Sequence, residues 1–144
     1  MVDIKNPVES CEVIEAKDLL VKVLEKKKEG LRLSQICAAY TDGKYELSYS
    51  FENEENFDFV TLRVYLELEE EIPSVSEILP HAVFYENEMK ELYGVNIKMI
   101  NLDFENKLYR IKTKTPLLPP EERKRIEDAR KSIAEAEGGI KEED

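Results

Sequence analysis

From Lys44 to Phe51 the chain alternates, with Tyr45, Leu47, Tyr49 and Phe51 separated by polar residues. A period of two marks a strand with one buried face and one solvated face. The same period runs through Phe57–Leu68, where Val60, Leu62, Val64, Leu66 and Leu68 line one face and Thr61, Arg63 and Glu67 the other. Leu31–Tyr40 predicts a third strand. Leu31, Leu33, Cys37 and Ala39 share one of its faces, which Gln35 interrupts. Asp42-Gly43 is a two-residue hairpin turn, and the acidic stretch Glu52–Asn56 is a longer loop. Strands in this order predict an antiparallel meander with helices packed on one face.

Elsewhere the period changes to that of a helix. Ala16–Lys28 carries Leu19, Leu20, Val23 and Leu24 at helical spacing, and Gly30 stands where a stop is expected. Ser74 with Glu77 three residues on is a capping-box pattern, which predicts a short helix from Val75. Pro80 blocks its continuation, so a second helix should run from about His81 to Tyr93 and end at Gly94. Its core stripe is Ala82, Tyr85, Met89 and Leu92, with Tyr93 alongside. Glu86 is then spaced to pair with Lys90, while Glu88 and Glu91 share an outward face with Phe84.

Beyond Gly94 the pattern weakens. Short strands are expected near Val95–Ile100 and Lys107–Lys112. Pro116, Pro119 and Pro120 predict an extended, stiff segment, and Pro120–Glu137 a charged helix whose large apolar residues are Ile126 and Ile133. Such a helix either stands in solvent or lies on a partner. The final GGIKEED is expected to be disordered. The fold class is therefore α+β: an antiparallel meander packed with helices, an extended proline-containing segment and a C-terminal charged helix. Residues 1–15 form a lead segment, 16–115 the folded domain, and 116–144 the extended segment, helix and end.

Composition narrows what such a domain can do. Thirty-two acidic residues against 21 basic ones give a net charge of −11. That surface repels nucleic acid and anionic lipid, so neither is expected as a principal partner. No apolar run approaches the roughly 18 residues that span a bilayer, and the polar N-terminus has no signal-peptide character. A cytoplasmic protein without direct membrane insertion is expected. Within this acidic chain Lys107, Arg110, Lys112 and Lys114 form a basic run with no acid among them. It reads either as a solvated strand edge that discourages aggregation or as an interface.

Little catalytic chemistry is visible. One histidine, His81, excludes most Ser/His/Asp and multi-histidine arrangements, and five glycines form no phosphate-cradling loop. Cys11 and Cys37 make no CxxC unit, so no structural zinc site is expected; Cys37 reads as a small buried residue. Glu86, Glu88 and Glu91 are the remaining candidates. Glu88 and Glu91 on one face could bind a hard cation or shuttle protons, yet calcium takes six or more oxygen ligands and no second carboxylate cluster is offered. A solvated face and a docking face remain open beside catalysis. The residues alone point to a soluble α+β component of an assembly.

The stretch IPSVSEILPHAVFYENEMKELYGV goes further. It resembles the small hydrophilic peripheral-arm subunit family of complex I, the 30 kDa subunit type of NADH dehydrogenase. That family carries a serine-rich turn followed by E-R-E-x-x-D-L-F-G-I. Here Ser74, Glu86, Glu88, Leu92 and Gly94 match, Asn87 stands in the place of arginine, Glu91 of aspartate and Tyr93 of phenylalanine. Leu108-Tyr109-Arg110-Ile111 resembles the family's L-R-R-I-L strand, and the likeness covers roughly residues 16–120. The family's Gly-His-Pro before that strand and its glycine- and proline-rich tail are absent. A divergent version of this kind is similar to the counterpart in membrane-bound energy-converting nickel–iron hydrogenases of the Ech or Mbh type. The resemblance implies a non-catalytic subunit with no cofactor of its own. Its partners would be a hydrogenase-like large subunit holding a nickel–iron centre and a small subunit holding iron–sulfur clusters, on the cytoplasmic side of the membrane. It also implies an interface built on the matched residues and on the basic residues Lys107, Arg110, Lys112 and Lys114. The alternatives are the 30 kDa-type subunit of an NADH/quinone oxidoreductase proper, a free-standing enzyme using Glu88 and Glu91, or an acidic adaptor.

Overall fold

The computed structural model describes residues 6–138. The alternating segments are strands: β1 (Glu9–Ile14), β2 (Arg32–Thr41), β3 (Lys44–Glu52) and β4 (Phe59–Leu66). They form one sheet in the order β1-β4-β3-β2. The meander β2-β3-β4 is antiparallel, as its hairpin turn requires: Asp42 and Gly43 both take positive φ, the geometry that suits the twist of a two-residue hairpin. β1 then pairs parallel with β4, so the sheet is mixed. This strand lies within the stretch read from sequence as a lead segment.

One face of the sheet carries the core. Tyr45, Leu47, Tyr49 and Phe51 of β3 are opposite Leu66, Val64, Leu62 and Val60 of β4, and all but Val60 are buried. β2 departs from the predicted alternation. A bulge between Leu33 and Gln35 inserts an extra residue, so the inward positions switch from Leu33 to Ile36 and Ala38. Cys37 and Ala39 are consequently off the core face; Cys37 is half-buried, not the small buried residue expected from the habit of free cysteine. The carbonyl of the bulged Ser34 accepts a hydrogen bond from the Tyr85 hydroxyl at 3.2 Å, which ties β2 to the helix packed beside it.

That helix is α2 (Ala82–Tyr93), and with α1 (Leu19–Lys28) it supplies the helical cover. Leu19 and Val23 of α1 are fully buried, while Leu20 and Leu24 stay about 40% exposed. Each buried leucine-sized side chain contributes roughly 1.5–3 kcal/mol. The expected helix at Val75 is instead a turn. The Ser74 hydroxyl accepts from Ser76 N–H, and the N–H groups of Ile78 and Leu79 both bond the Val75 carbonyl. Short strands β5 (Glu71–Pro73) and β6 (Asn96–Lys98) pair in parallel on either side of α2 in the chain.

The expected strand at Lys107–Lys112 does not form. Residues 99–118 run as an irregular strap without ladder partners among the described residues. The charged helix is present as α3 (Pro120–Gly138). Its first half lies on its own domain: Ile126 is buried and Arg125 pairs with Glu69. Ile133, further along, is 55% exposed. Of the GGIKEED end, Gly138 closes α3 and residues 139–144 lie outside the described residues.

Candidate interaction site around the second helix

α2 is held at both ends. Before it, Ala82 N–H bonds Leu79 O at 2.9 Å, across Pro80. After it, Gly94 adopts φ +77 and its N–H bonds Lys90 O at 3.0 Å. A Cβ at Gly94 would lie 2.8 Å from the Thr115 methyl, so glycine is required both by the left-handed turn and by the close approach of the strap. Three successive carbonyls at the end of the helix find donors from other parts of the chain. Leu92 O accepts from Leu117 N–H at 3.0 Å, Tyr93 O from the Tyr45 hydroxyl at 2.6 Å, and Gly94 O from Arg130 at 2.6 Å.

Between those ends, the polar side chains of α2 turn toward neighbouring backbone. Glu86 is fully buried; its carboxylate accepts from the Ser74 hydroxyl at 2.8 Å and from Val75 N–H at 3.2 Å. Burial pushes its carboxyl up to about 7, against the opposing pull of those two donors. Ser76 extends the cluster, its hydroxyl 2.7 Å from that of Ser74 and accepting Asn101 N–H at 3.0 Å. Glu86 therefore does not pair with Lys90, as helical spacing had suggested. Lys90 pairs with Asp103, and the lysine holds the Asp103 carboxyl below its usual range.

Glu91 corrects the expectation of an outward carboxylate pair. It is 3% exposed and accepts Leu108 N–H at 2.8 Å and Tyr109 N–H at 3.1 Å. Glu88 is half-buried and accepts the Tyr109 hydroxyl, a bond that favours the protonated phenol and raises its pKa. The strap arrives over the very face that a helical projection leaves to solvent. Asn87, in the position of the family's arginine, makes three bonds here, two of them to the strap. Its amide donates to Val83 O at 2.7 Å and Leu102 O at 2.8 Å, and its carbonyl accepts Phe104 N–H at 2.9 Å. Phe84 stacks on Phe104 with ring centroids 6.1 Å apart.

Asn87, Ser76, Asp103 and Tyr109 were not singled out as site residues by sequence reasoning. Asn87 had a signal: an amide in the interior of a helix, where it disfavours the helix, is expected to bond something specific. The strap residues had none, because irregular backbone has no period.

The result is a strap shaped from within and bare outside. Lys107, Arg110, Lys112 and Lys114 are all exposed and enter no ion pair among the described residues. Exposed apolar side chains stand among and beside them: Met99 (84% exposed), Leu102, Tyr109 and Ile111. Among the described residues no group of three His, Cys, Asp or Glu side chains comes together to hold a metal ion. Cys11 and Cys37 sit on opposite edge strands with two strands between them, too far apart for a disulfide.

Residues 13–102 match the sequence model of the family described as the respiratory-chain NADH dehydrogenase, 30 kDa subunit. The chain belongs to this family. The matched span runs from the end of β1 to the start of the strap, so it contains Ser74, Glu86, Asn87, Glu88, Glu91, Leu92, Tyr93 and Gly94. The four basic strap residues and α3 lie beyond it. No curated protein matches the sequence. Among solved structures, a chain of the membrane-bound sulfane sulfur reductase, an archaeal respiratory membrane complex, shares this fold with a TM-score of 0.59 at 21% identity. The likeness covers 76% of this chain and 66% of that one, just under two thirds of its length. This 30 kDa-type subunit has, among its described residues, no helix long and apolar enough to cross a membrane.

Proposed function

We propose that this chain is a non-catalytic structural subunit of a membrane-bound, energy-converting hydrogenase or a related ferredoxin-dependent oxidoreductase. It sits in the peripheral arm on the cytoplasmic side and braces a nickel–iron-type large subunit beside a cluster-bearing small subunit. The observation that carries this reading is the inward use of the α2 carboxylates. Glu86 and Glu91 hold the serine turn and the strap, and what remains to act is the exposed basic and apolar surface they support. Such a surface is suited to docking, where a few desolvated side chains supply most of the affinity.

Electron transfer in this reading belongs to the neighbours. A four-thiolate iron–sulfur cluster needs more than the two cysteines this chain has, so clusters and the nickel–iron centre are assigned to partner subunits. Family membership also favours a second reading, a subunit of an NADH–quinone oxidoreductase proper. Missing Gly-His-Pro before Leu108, where the chain reads Phe104-Glu105-Asn106-Lys107, weighs against it.

Purification of the tagged chain from mildly solubilised membranes tests both. A large subunit carrying paired CxxC motifs, recovered with a cluster-bearing small subunit and ion-translocating membrane subunits, is the expected outcome. Co-purification of NADH-oxidising subunits would favour the second reading. Recovery of this chain alone would contradict both.

A further inference from the structure

The strap and α3 enclose a groove of about 1140 Å³ floored by β6 and its flanks. Eight basic and four acidic side chains line it, the reverse of the balance in the whole chain, which has 21 basic and 32 acidic residues. Three of those four acids are already engaged: Glu91 by the strap amides, Asp103 by Lys90 and Glu127 by Lys131. The cations are less committed. Lys107, Lys112 and Lys114 enter no ion pair among the described residues, and Arg130 bonds a carbonyl, that of Gly94, and no carboxylate. The groove thus holds a local excess of positive charge inside a strongly negative molecule.

We infer that this groove is the docking site for an acidic, partly apolar polypeptide segment of a neighbouring subunit. The inference rests on the reading of the chain as a subunit of a complex, and it names the chemistry of the segment that the strap receives. Three features select that occupant. The volume exceeds the roughly 300–1,000 Å³ of ordinary small-molecule pockets and suits an extended chain. Exposed Met99 and Ile111 offer apolar contacts beside the cations, so the segment should alternate acids with apolar anchors. A nucleic acid would place many phosphates against a chain of net charge −11, most of whose surface repels them. A short peptide takes the favourable field of the groove without meeting the rest. Steering by the uncommitted lysines should make assembly salt-sensitive.

Zero-length carbodiimide cross-linking of the purified complex, combined with lysine acetylation footprinting, tests the inference. Lys107, Lys112 and Lys114 should join to Asp or Glu side chains of another subunit. Their acetylation should fall severalfold relative to the isolated chain. An intact complex in which these lysines acetylate as they do in the isolated chain overturns the inference and leaves the functional proposal standing. So does one in which they cross-link only within their own chain, for example to Glu142 or Glu143. A chain that never co-purifies with other subunits overturns the functional proposal first, and this inference with it. The K107E/K112E/K114E variant supplies a second readout. These side chains are exposed, so its isolated thermal midpoint should stay within a few degrees of the parent, while recovery of the partner subunits drops severalfold. Undiminished recovery would overturn the inference.

Discussion

Glu86 carries a carboxyl raised to about 7 by burial, in a molecule whose other glutamates are mostly solvated. In the unfolded chain the same group titrates near 4.5. Between those values the unfolded state releases a proton that the folded state retains, so this residue's contribution to stability is full below about 4.5. It is lost as pH rises through about 7. The span corresponds to roughly 3 kcal/mol at most. E86Q keeps a carbonyl for Val75 N–H and an amide for the Ser74 oxygen but does not titrate. Its stability relative to the parent should therefore rise from pH 5 to pH 8, read as the difference in thermal midpoint. An identical difference at both pH values would contradict the assignment. Glu91 is a different case, since both its oxygens serve backbone N–H groups. E91A leaves two part-buried donors without an acceptor and should cost about 1 kcal/mol, with new protease cleavage between residues 104 and 111; E91Q should cost less. Neither role was legible from spacing. A helical projection gives the angle of a side chain but not what arrives over it. The strap that arrives has no period by which to place it.

At the scale of elements, legibility follows the strength of the period. Strands β3 and β4 and helix α2 were readable because each buries a continuous face. β2 was readable as a strand but not in register, because the bulge at Ser34 leaves no mark in the residues around it. β1 went unassigned since its residues are nearly all exposed, and an edge strand buried on neither face shows no alternation. α3 was readable as a helix, yet its docking was not: one buried isoleucine and the arginines that bond carbonyls do not make a stripe. The junction of α2 with the strap is the element-level feature most open to test. G94A must force an L side chain into φ +77 and place its Cβ against Thr115. A loss of about 2 kcal/mol is expected from denaturant unfolding. In G94A/T115S the offending methyl is gone, so part of that loss should return while the backbone strain remains. Equal losses in the single and double variants would show that the strap does not press on Gly94.

Across the whole molecule, one helix divides two surfaces. Its apolar side closes the core against β2, and its polar side shapes the strap into a basic, partly apolar face on an otherwise acidic body. The resemblance read from Ser74, Glu86, Glu88, Leu92 and Gly94 agrees with the family assignment, and the structure adds that Glu86 and Glu91 act inward. The proposed subunit role then depends on whether the strap is the surface that partners cover. Hydrogen exchange on the isolated chain and on the purified complex measures this most directly. The amides of Arg110 to Lys114 have no acceptor among the described residues, so they should exchange freely in the isolated chain. In the complex they should slow by about tenfold or more, equivalent to about 1.4 kcal/mol of protection, with β3 and β4 unchanged. Free exchange of residues 110–114 in an intact complex would contradict the account.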